Sequence, residues 1–503
     1  MLIRSVRLVP VGRGSAPTWG GEPVDLRLAD GQVTHVGPTL VPDAAERVLE
    51  VDGRWVIPGL WDAHTHPVMW ALARRRLDLI GTTSAAETER RVRERLHGIP
   101  GAGLVLGYGY RSATWADPPT TAGLDAVSGE RPVALASGDG HNGWLNSAAL
   151  RLLGLPPRGG VLTEDEWYAA YPRLEALDPN AADPLPALAE AVADAHARGI
   201  VGLVDFEFGS SWRTWPEYVE RGLDTIRVRA STYADRLAEA AAAGLRTGDR
   251  LVEGHDLVTM GSLKVIGDGS LNTLTAWCRD PYLGAQGRGN PCGRANLDLD
   301  ALIDVMAHAT SQGLSAAIHA IGDAAVAATI EAFACTGATG SIEHAQLIGW
   351  ADLPRLAATG ITASVQPAHL VDDRDVSGQW WGDRTDRLYA FRALAEAGVP
   401  LALGSDAPVA PLDPWLAIAA AVHRSGDNRP PWHPEQALTV AEALAASTDG
   451  QPTLGVGSRA DLVLLDADPL RDADDSGAQA AYLRAMPVAA TLVAGRLVTA
   501  PPG

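Results

Sequence analysis

Near the start of the chain, apolar and polar residues alternate in Val24-Asp25-Leu26-Arg27-Leu28, break at Asp30-Gly31, and alternate again in Val33-Thr34-His35-Val36. Two alternating runs around Asp-Gly predict a β-hairpin. Near the end, Asp461-Leu462-Val463-Leu464-Leu465-Asp466 predicts a strand, and the run from Ala490 to Val498 predicts two short strands around a tight turn. Between the ends the pattern changes. Strand-like apolar runs alternate with segments whose apolar residues recur at helical spacing, such as Leu302, Val305, Met306 and Ala309, or Leu388, Phe391, Leu394 and Ala395. The strand-like runs lie near residues 60–66, 200–206, 225–232, 259–266, 314–319, 341–344, 361–366 and 401–406. Eight such runs alternating with helices predict an α/β protein built on a (β/α)8 TIM-like barrel. About 130 residues separate the first run from the second, too many for a simple crossover. A large insertion is therefore expected after strand 1, at about 70–190, with strands of its own at Gly103–Tyr110 and Arg131–Ser137. The two ends, 1–58 and 453–503, are expected to pair into a small β-sandwich beside a barrel of 59–452, with Pro58-Gly59 at the junction. The chain shows no internal repeat.

Composition narrows the class. The 503 residues suffice for a large barrel and a second small domain, and 46% hydrophobic residues fit an ordinary globular protein. A formal charge of −20 repels phosphate backbones and anionic lipid, so nucleic acid and membrane surfaces are excluded as expected partners. No apolar run reaches the roughly 18 residues that span a bilayer. The first residues, Met1-Leu2-Ile3-Arg4-Ser5-Val6-Arg7, lack the apolar core of a signal peptide. Three cysteines, Cys278, Cys292 and Cys335, argue for a reducing, cytoplasmic setting and against a disulfide framework. None has zinc-finger spacing, so a metal site would be built from His, Asp and Lys.

Candidate chemistry sits at the ends of the strand-like runs. His64 and His66 in Trp61-Asp62-Ala63-His64-Thr65-His66 are one residue apart, which puts both imidazoles on one face of a strand. Two neutral imidazoles so held form half of a divalent-metal site. Lys264, His319, His344 and Asp406 each follow a later strand-like run. Polar groups at the carboxyl ends of successive strands are where such a barrel places its chemistry.

Six motifs in order carry a family resemblance. They are Pro58 to His66, Asp139-Gly140-His141-Asn142-Gly143-Trp144-Leu145-Asn146-Ser147, Lys264-Val265-Ile266-Gly267-Asp268-Gly269-Ser270, His319-Ala320-Ile321-Gly322-Asp323, Ile342-Glu343-His344-Ala345-Gln346 and Gly404-Ser405-Asp406-Ala407-Pro408. Ala460-Asp461-Leu462-Val463 fits as well. The chain resembles the amidohydrolase superfamily over nearly its whole length, and within it the YtcJ-like or family 3 branch that includes N-substituted formamide deformylases. One departure is Ala324, where the branch usually carries Arg after Gly-Asp; this touches local ion pairing rather than the metal site.

The resemblance implies that His64 and His66 come from strand 1, Lys264 from strand 4, His319 from strand 5, His344 from strand 6 and Asp406 from strand 8, and that these residues hold one or two divalent ions, zinc above all. It implies that His141, Asn142 and Trp144 meet the substrate. Lys264 sits among Leu263, Val265 and Ile266, where carboxylation would turn it into an anionic bridge between two metals, and His369, at the end of strand 7, reads equally as a substrate contact or as a plain strand-end residue. Each has a plainer alternative. The His pair is also compatible with a hydrogen-bonded core feature, Lys264 with a snorkelling lysine paired to Asp268, and Asp406 with a helix cap. His141, Asn142 and Trp144 are compatible with packing inside the insertion. Glu343 and Gln346 read as groups that support His344 rather than bind metal. Trp380-Trp381 suits either an apolar substrate cover or loop packing.

The ligand set implies the reaction. A zinc-type ion lowers the pKa of bound water to about 7, and Asp406 takes its proton and passes it to the leaving nitrogen. No nucleophile elbow or phosphate-binding glycine loop competes with this reading. The expected function is metal-dependent hydrolysis of a non-peptide C–N bond in a small linear amide or N-substituted formamide. A cyclic-amide, carbamate or ester hydrolase is the alternative on the same site, and a non-catalytic assembly scaffold is the reading outside enzymes. A homodimer is one open oligomeric state. Specificity is expected to lie in the insertion, with Tyr108, Tyr110, Trp115, His141 and Asn142 near substrate and Trp144 behind them; the competing view is that this segment only covers the barrel or forms an oligomer contact.

Overall fold

The computed structural model describes residues 1–503 except 13–20, 99–100, 114, 286–288 and 500–503. Parts of the expected terminal sheet and insertion thus lie outside the described residues.

Each of the eight strand-like runs of the central region forms a strand, and all eight pair in parallel in chain order. They are β1 (Leu60–Thr65), β2 (Ile200–Asp205), β3 (Arg227–Tyr233), β4 (Val258–Ile266), β5 (Ala316–Ala320), β6 (Gly340–His344), β7 (Thr362–Val365) and β8 (Leu401–Leu403). The barrel closes past the end of β8, where the Asp406 amide donates to the His64 carbonyl at 2.7 Å and the His66 amide to the Ala407 carbonyl at 2.8 Å. Strands buried on both faces require apolar runs rather than alternation, and Ile200, Val201 and Leu203, like Ala316, Ala317 and Ile318, are wholly inaccessible. Two crowded positions call for glycine: a Cβ on Gly59 would lie 2.4 Å from Val201, and one on Gly202 2.3 Å from the Trp61 indole.

The helices follow their apolar faces. Leu299–Ser311 starts at Asp298, whose carboxylate accepts from the Ala301 amide at 2.9 Å, and buries Leu302, Met306 and Ala309. The other expected face is shorter than its pattern. The helix runs only over Phe391–Glu396, because Tyr389 has φ +49 and donates its amide to the Gln346 carbonyl, which leaves Leu388 outside the helix.

Strands from both ends share one eight-stranded sheet. Val24–Ala29 and Gln32–Gly37 pair antiparallel around Asp30-Gly31, and Leu462–Leu465 lies between Trp55–Pro58 and Val488–Val493. Ile3, Leu26, Val56, Leu462 and Leu492 meet in its core. Asp461 ties this sheet to the barrel: its carboxylate accepts from Arg227 at 2.6 Å, both side chains being buried, and from the Ala494 amide.

Between β1 and β2 lies a separate five-stranded sheet, ordered Leu162–Thr163, Asn142–Leu145, Val133–Ser137, Val105–Tyr110 and Leu77–Asp78. Its two faces have cores of their own, one around Trp167 and one around Trp144. The helix Leu185–Ala197 then buries Leu188, Ala191 and Val192 in the barrel core on the way to β2.

Candidate metal centre and substrate cavity

The carboxyl ends of the barrel strands bring the candidate ligands together. His64, His344 and Asp406 each offer an atom within 4.8 Å of the others, and all three side chains are buried. Asp406 Oδ1 lies 3.3 Å from His66 Nε2 and 3.5 Å from His64 Nε2. Lys264 Nζ lies 3.4 Å from His64 Nε2 and 4.1 Å above the Phe206 ring. The His319 and His344 rings are edge to face at 4.5 Å between centroids. His319 Nε2 faces the Gly269 carbonyl at 3.3 Å and Asp268 Oδ1 at 3.4 Å. His369 is the first residue of the helix His369–Trp380 rather than the end of β7, and its ring stacks at 6.3 Å from that of His344.

The backbone aims two of these groups. His344 has φ +69 and Asp406 φ +58, left-handed conformations that are uncommon for residues other than glycine. Such strain persists where the surroundings enforce it, and it concentrates at functional sites.

The electrostatics suit metal ligation. Burial first, then the Lys264 charge, hold the His64 imidazole well below its ordinary pKa. Burial and neighbouring His319 do the same to His344, and burial brings His319 down to about 3. These rings therefore carry lone pairs at neutral pH, as ligation requires. Asp406 behaves oppositely: burial pushes it up, but His64 and the hydrogen bond from His66 outweigh that and keep the carboxyl well below its usual range. Lys264 is brought down to about 8 by burial, partly offset by Glu343 and Asp406. His66 Nδ1 and His344 Nδ1 are buried without a hydrogen-bond partner. His66 faces Asp406 through Nε2, so its Nδ1 is turned from the cluster; the donor atoms of His64, His344 and Asp406, within 4.8 Å of one another, are a set that a divalent cation fits.

Above the cluster opens a cavity of about 1100 Å³, its mouth included. The barrel contributes Phe208, Tyr233 and His369, and the insertion contributes Tyr108, His141, Trp167 and Tyr168. A ligand reaching the cluster thus meets several aromatic faces.

A family model described as "Amidohydrolase family" matches residues 47–499. The chain belongs to the amidohydrolase family. YtcJ of Bacillus subtilis (strain 168) is 26% identical over 501 residues, covering 90% of each chain. The N-substituted formamide deformylase of Arthrobacter pascens is 25% identical over 509 residues, covering 88% of each. These likenesses put the protein on the YtcJ-like branch. In fold it is similar to the crystal structure of an uncharacterized metal-dependent hydrolase from Pyrococcus horikoshii OT3, with a TM-score of 0.75 and 24% identity over 95% of this chain and 99% of that one.

Within this amidohydrolase, the partners of several supporting groups were not legible in the sequence. Glu343 Oε2 lies 2.7 Å from His64 Nδ1, which fixes the ring and leaves Nε2 facing Asp406 and Lys264. Adjacency to His344 drew attention to Glu343, but its partner is 279 residues away in the chain. Asp62 Oδ1 accepts from the amides of His64 and Ser405, joining the first and last barrel strands. Asp268 does not pair with Lys264; its carboxylate accepts from the amides of Ile321, Gly322 and Trp277, fastening the loop after β4 to the loop after β5. Asp323, beside Ala324, pairs with Arg387 at 3.0 Å.

The insertion residues divide. His141 lines the cavity, with its ring centroid 6.5 Å from that of His319. Asn142 and Trp144 lie behind the wall. The Asn142 side-chain oxygen accepts from the Tyr110 hydroxyl, and Trp144 is fully buried, donating Nε1 to the Thr120 carbonyl at 2.7 Å. The reason is strand geometry. Asn142 begins a strand flanked on both sides by partners, and Trp144 shares its face, turned into the sheet's own core. Tyr110 belongs to that core as well, whereas Tyr108 reaches the cavity. Trp381 packs the loop, stacked on Tyr282 at 5.6 Å.

Proposed function

We propose that this amidohydrolase cleaves a non-peptide C–N bond in a small linear amide or N-substituted formamide, with one or two zinc ions held by His64, His66, His319, His344, Asp406 and Lys264. The observation that carries this reading is the convergence of His64, His344 and Asp406 on the floor of an aromatic-walled cavity. The relative named as an N-substituted formamide deformylase, aligned over 88% of the chain, supports the choice of amide class. Nitrogen and carboxylate donors suit zinc. Three unpaired cysteines support a reducing, cytoplasmic setting.

When bound, such an ion supplies Lewis acidity toward the carbonyl and lowers the pKa of water to about 7. The protein's own groups do the rest. Asp406, held ionised, accepts a proton at its carboxylate and returns one to the departing nitrogen. Glu343 orients His64. The rings of Phe208, Trp167, Tyr168 and Tyr233 keep bulk water from the reacting carbonyl.

Two measurements bear on this reading. A screen of formamides, N-acyl amines, lactams and esters with metal-loaded protein is expected to find the highest kcat/KM among formamides or linear amides; turnover confined to lactams or esters would exclude the proposed class. The second concerns Lys264, which is buried with no carboxylate hydrogen bond among the described residues. In the proposed state the Lys264 amine would add to carbon dioxide, an N–C bond forming as one C=O π bond becomes C–O⁻ and an amine proton leaves, and the resulting carbamate would supply anionic oxygens as metal ligands. Lys264→Ala is then expected to lose metal from one site and most activity, with partial recovery on adding a short carboxylic acid. Full metal content and wild-type kcat in that variant would rule out a bridging role.

A further inference from the structure

We propose that His141, held by Glu164, which is itself bonded across the seam between the insertion and the barrel, donates a hydrogen bond from Nε2 to the oxygen of the reacting carbonyl. This rests on the amide-hydrolase reading above. His141 Nδ1 lies 3.1 Å from Glu164 Oε2 and 2.7 Å from the Tyr168 hydroxyl. Both partners occupy the same ring nitrogen, so Nε2, which has no protein partner among the described residues, is the one left for a ligand. The ring lines the cavity, 6.5 Å from the ring of His319, which lines it too. A carbonyl bound in this cavity beside the ligand cluster would be within reach of the His141 ring.

Glu164 is a positioning residue built for this. Its Oε1 accepts from the hydroxyls of Thr273 at 2.5 Å and Thr275 at 3.0 Å, both on the segment following β4, the strand that carries Lys264. Its amide donates to the His141 carbonyl at 3.0 Å, and its backbone has φ +45. The donor is therefore fixed in register with the ligand-bearing barrel although it is carried by the insertion. Burial disfavours a charged imidazole here, but the hydrogen bond and charge of Glu164 outweigh it and raise His141 to about 9, while Glu164 falls to about 2 despite its own burial. Both shifts describe one ion pair, in which the imidazolium carries a proton on Nε2. A fixed donor aimed at a developing oxyanion in a water-poor site acts mainly on kcat, typically about 10²–10³-fold per donor.

The test uses metal-loaded full-length protein. With the best amide from the screen, His141→Ala is expected to lower kcat about 10²–10³-fold with little change in KM or metal content. Glu164→Gln is expected to cause a smaller loss that deepens as pH rises, because without the carboxylate the imidazole releases its proton at lower pH. Unchanged kinetics, or a raised KM at constant kcat, would overturn the proposal in favour of packing or of contact with a substituent. A second readout is independent of turnover and of His141→Ala folding. In protein with ¹³C-labelled histidine, the His141 signal is expected to shift when acetate is added as a carbonyl mimic, and to titrate at lower pH in Glu164→Gln than in wild-type protein. An insensitive signal in both experiments would overturn the donor role. If wild-type protein hydrolyses no amide yet His141 responds in this way, the amide assignment fails while the donor stands.

Discussion

Asp406→Asn is expected to leave the protein folded and to lower kcat about 10²–10⁴-fold, the range for losing a general acid–base group. The backbone explains why the fold survives. Asp406 has φ +58, and asparagine is among the few residues that tolerate the left-handed region. Its amide bond to the His64 carbonyl, which closes the barrel, does not involve the side chain. The chemistry explains the loss. An ionised carboxylate flanked by His64 and His66 can receive a proton and deliver it to a leaving nitrogen, whereas a carboxamide in the same place can do neither at neutral pH. The check is kcat beside the melting temperature and metal content of the variant. A loss of tenfold or less would reduce Asp406 to a supporting role.

The second large effect is expected from His64→Ala combined with His66→Ala. Wild-type protein purified from zinc-supplemented cells should carry one to two equivalents of divalent metal, and the double variant close to none, with no measurable turnover. His64 lies at the end of β1 and His66 just past it, so one short segment carries both ligands. The change also strands Glu343, whose carboxylate loses its His64 partner and retains that of Ser341. A buried acceptor deprived of a partner costs about 1–3 kcal/mol, so a modest fall in melting temperature is expected even in the metal-free state. Elemental analysis showing wild-type metal in the double variant would place the ion elsewhere.

The two ends of the chain show why some of this architecture was legible in advance. Asp30-Gly31 between alternating runs specifies a hairpin locally, and that hairpin forms. The barrel strands were legible because burial on both faces demands continuous apolar runs, and polar residues break those runs where the strands meet the cavity. A helical face was less secure. Leu388 matched the period of Leu394 and Ala395, but a positive φ at Tyr389, imposed by a contact with Gln346, ends the helix early. Local periodicity cannot register such a constraint.

The order of strands, the position of the insertion and the six candidate ligands were determined by the sequence alone, because each leaves a local mark in residue type and spacing. Which groups support those ligands, and which insertion residues reach them, was settled by contacts between distant parts of the chain. Glu343 meets His64 across 279 residues of chain, and Glu164 meets Thr273 across 109. Asn142 and Trp144 share the His141 motif yet turn away from the cavity, because their strand packs its face into its own sheet. Hydrogen bonds between side chains act over about 3 Å and are indifferent to chain separation, so they become visible only once the barrel has closed and the insertion has docked on it.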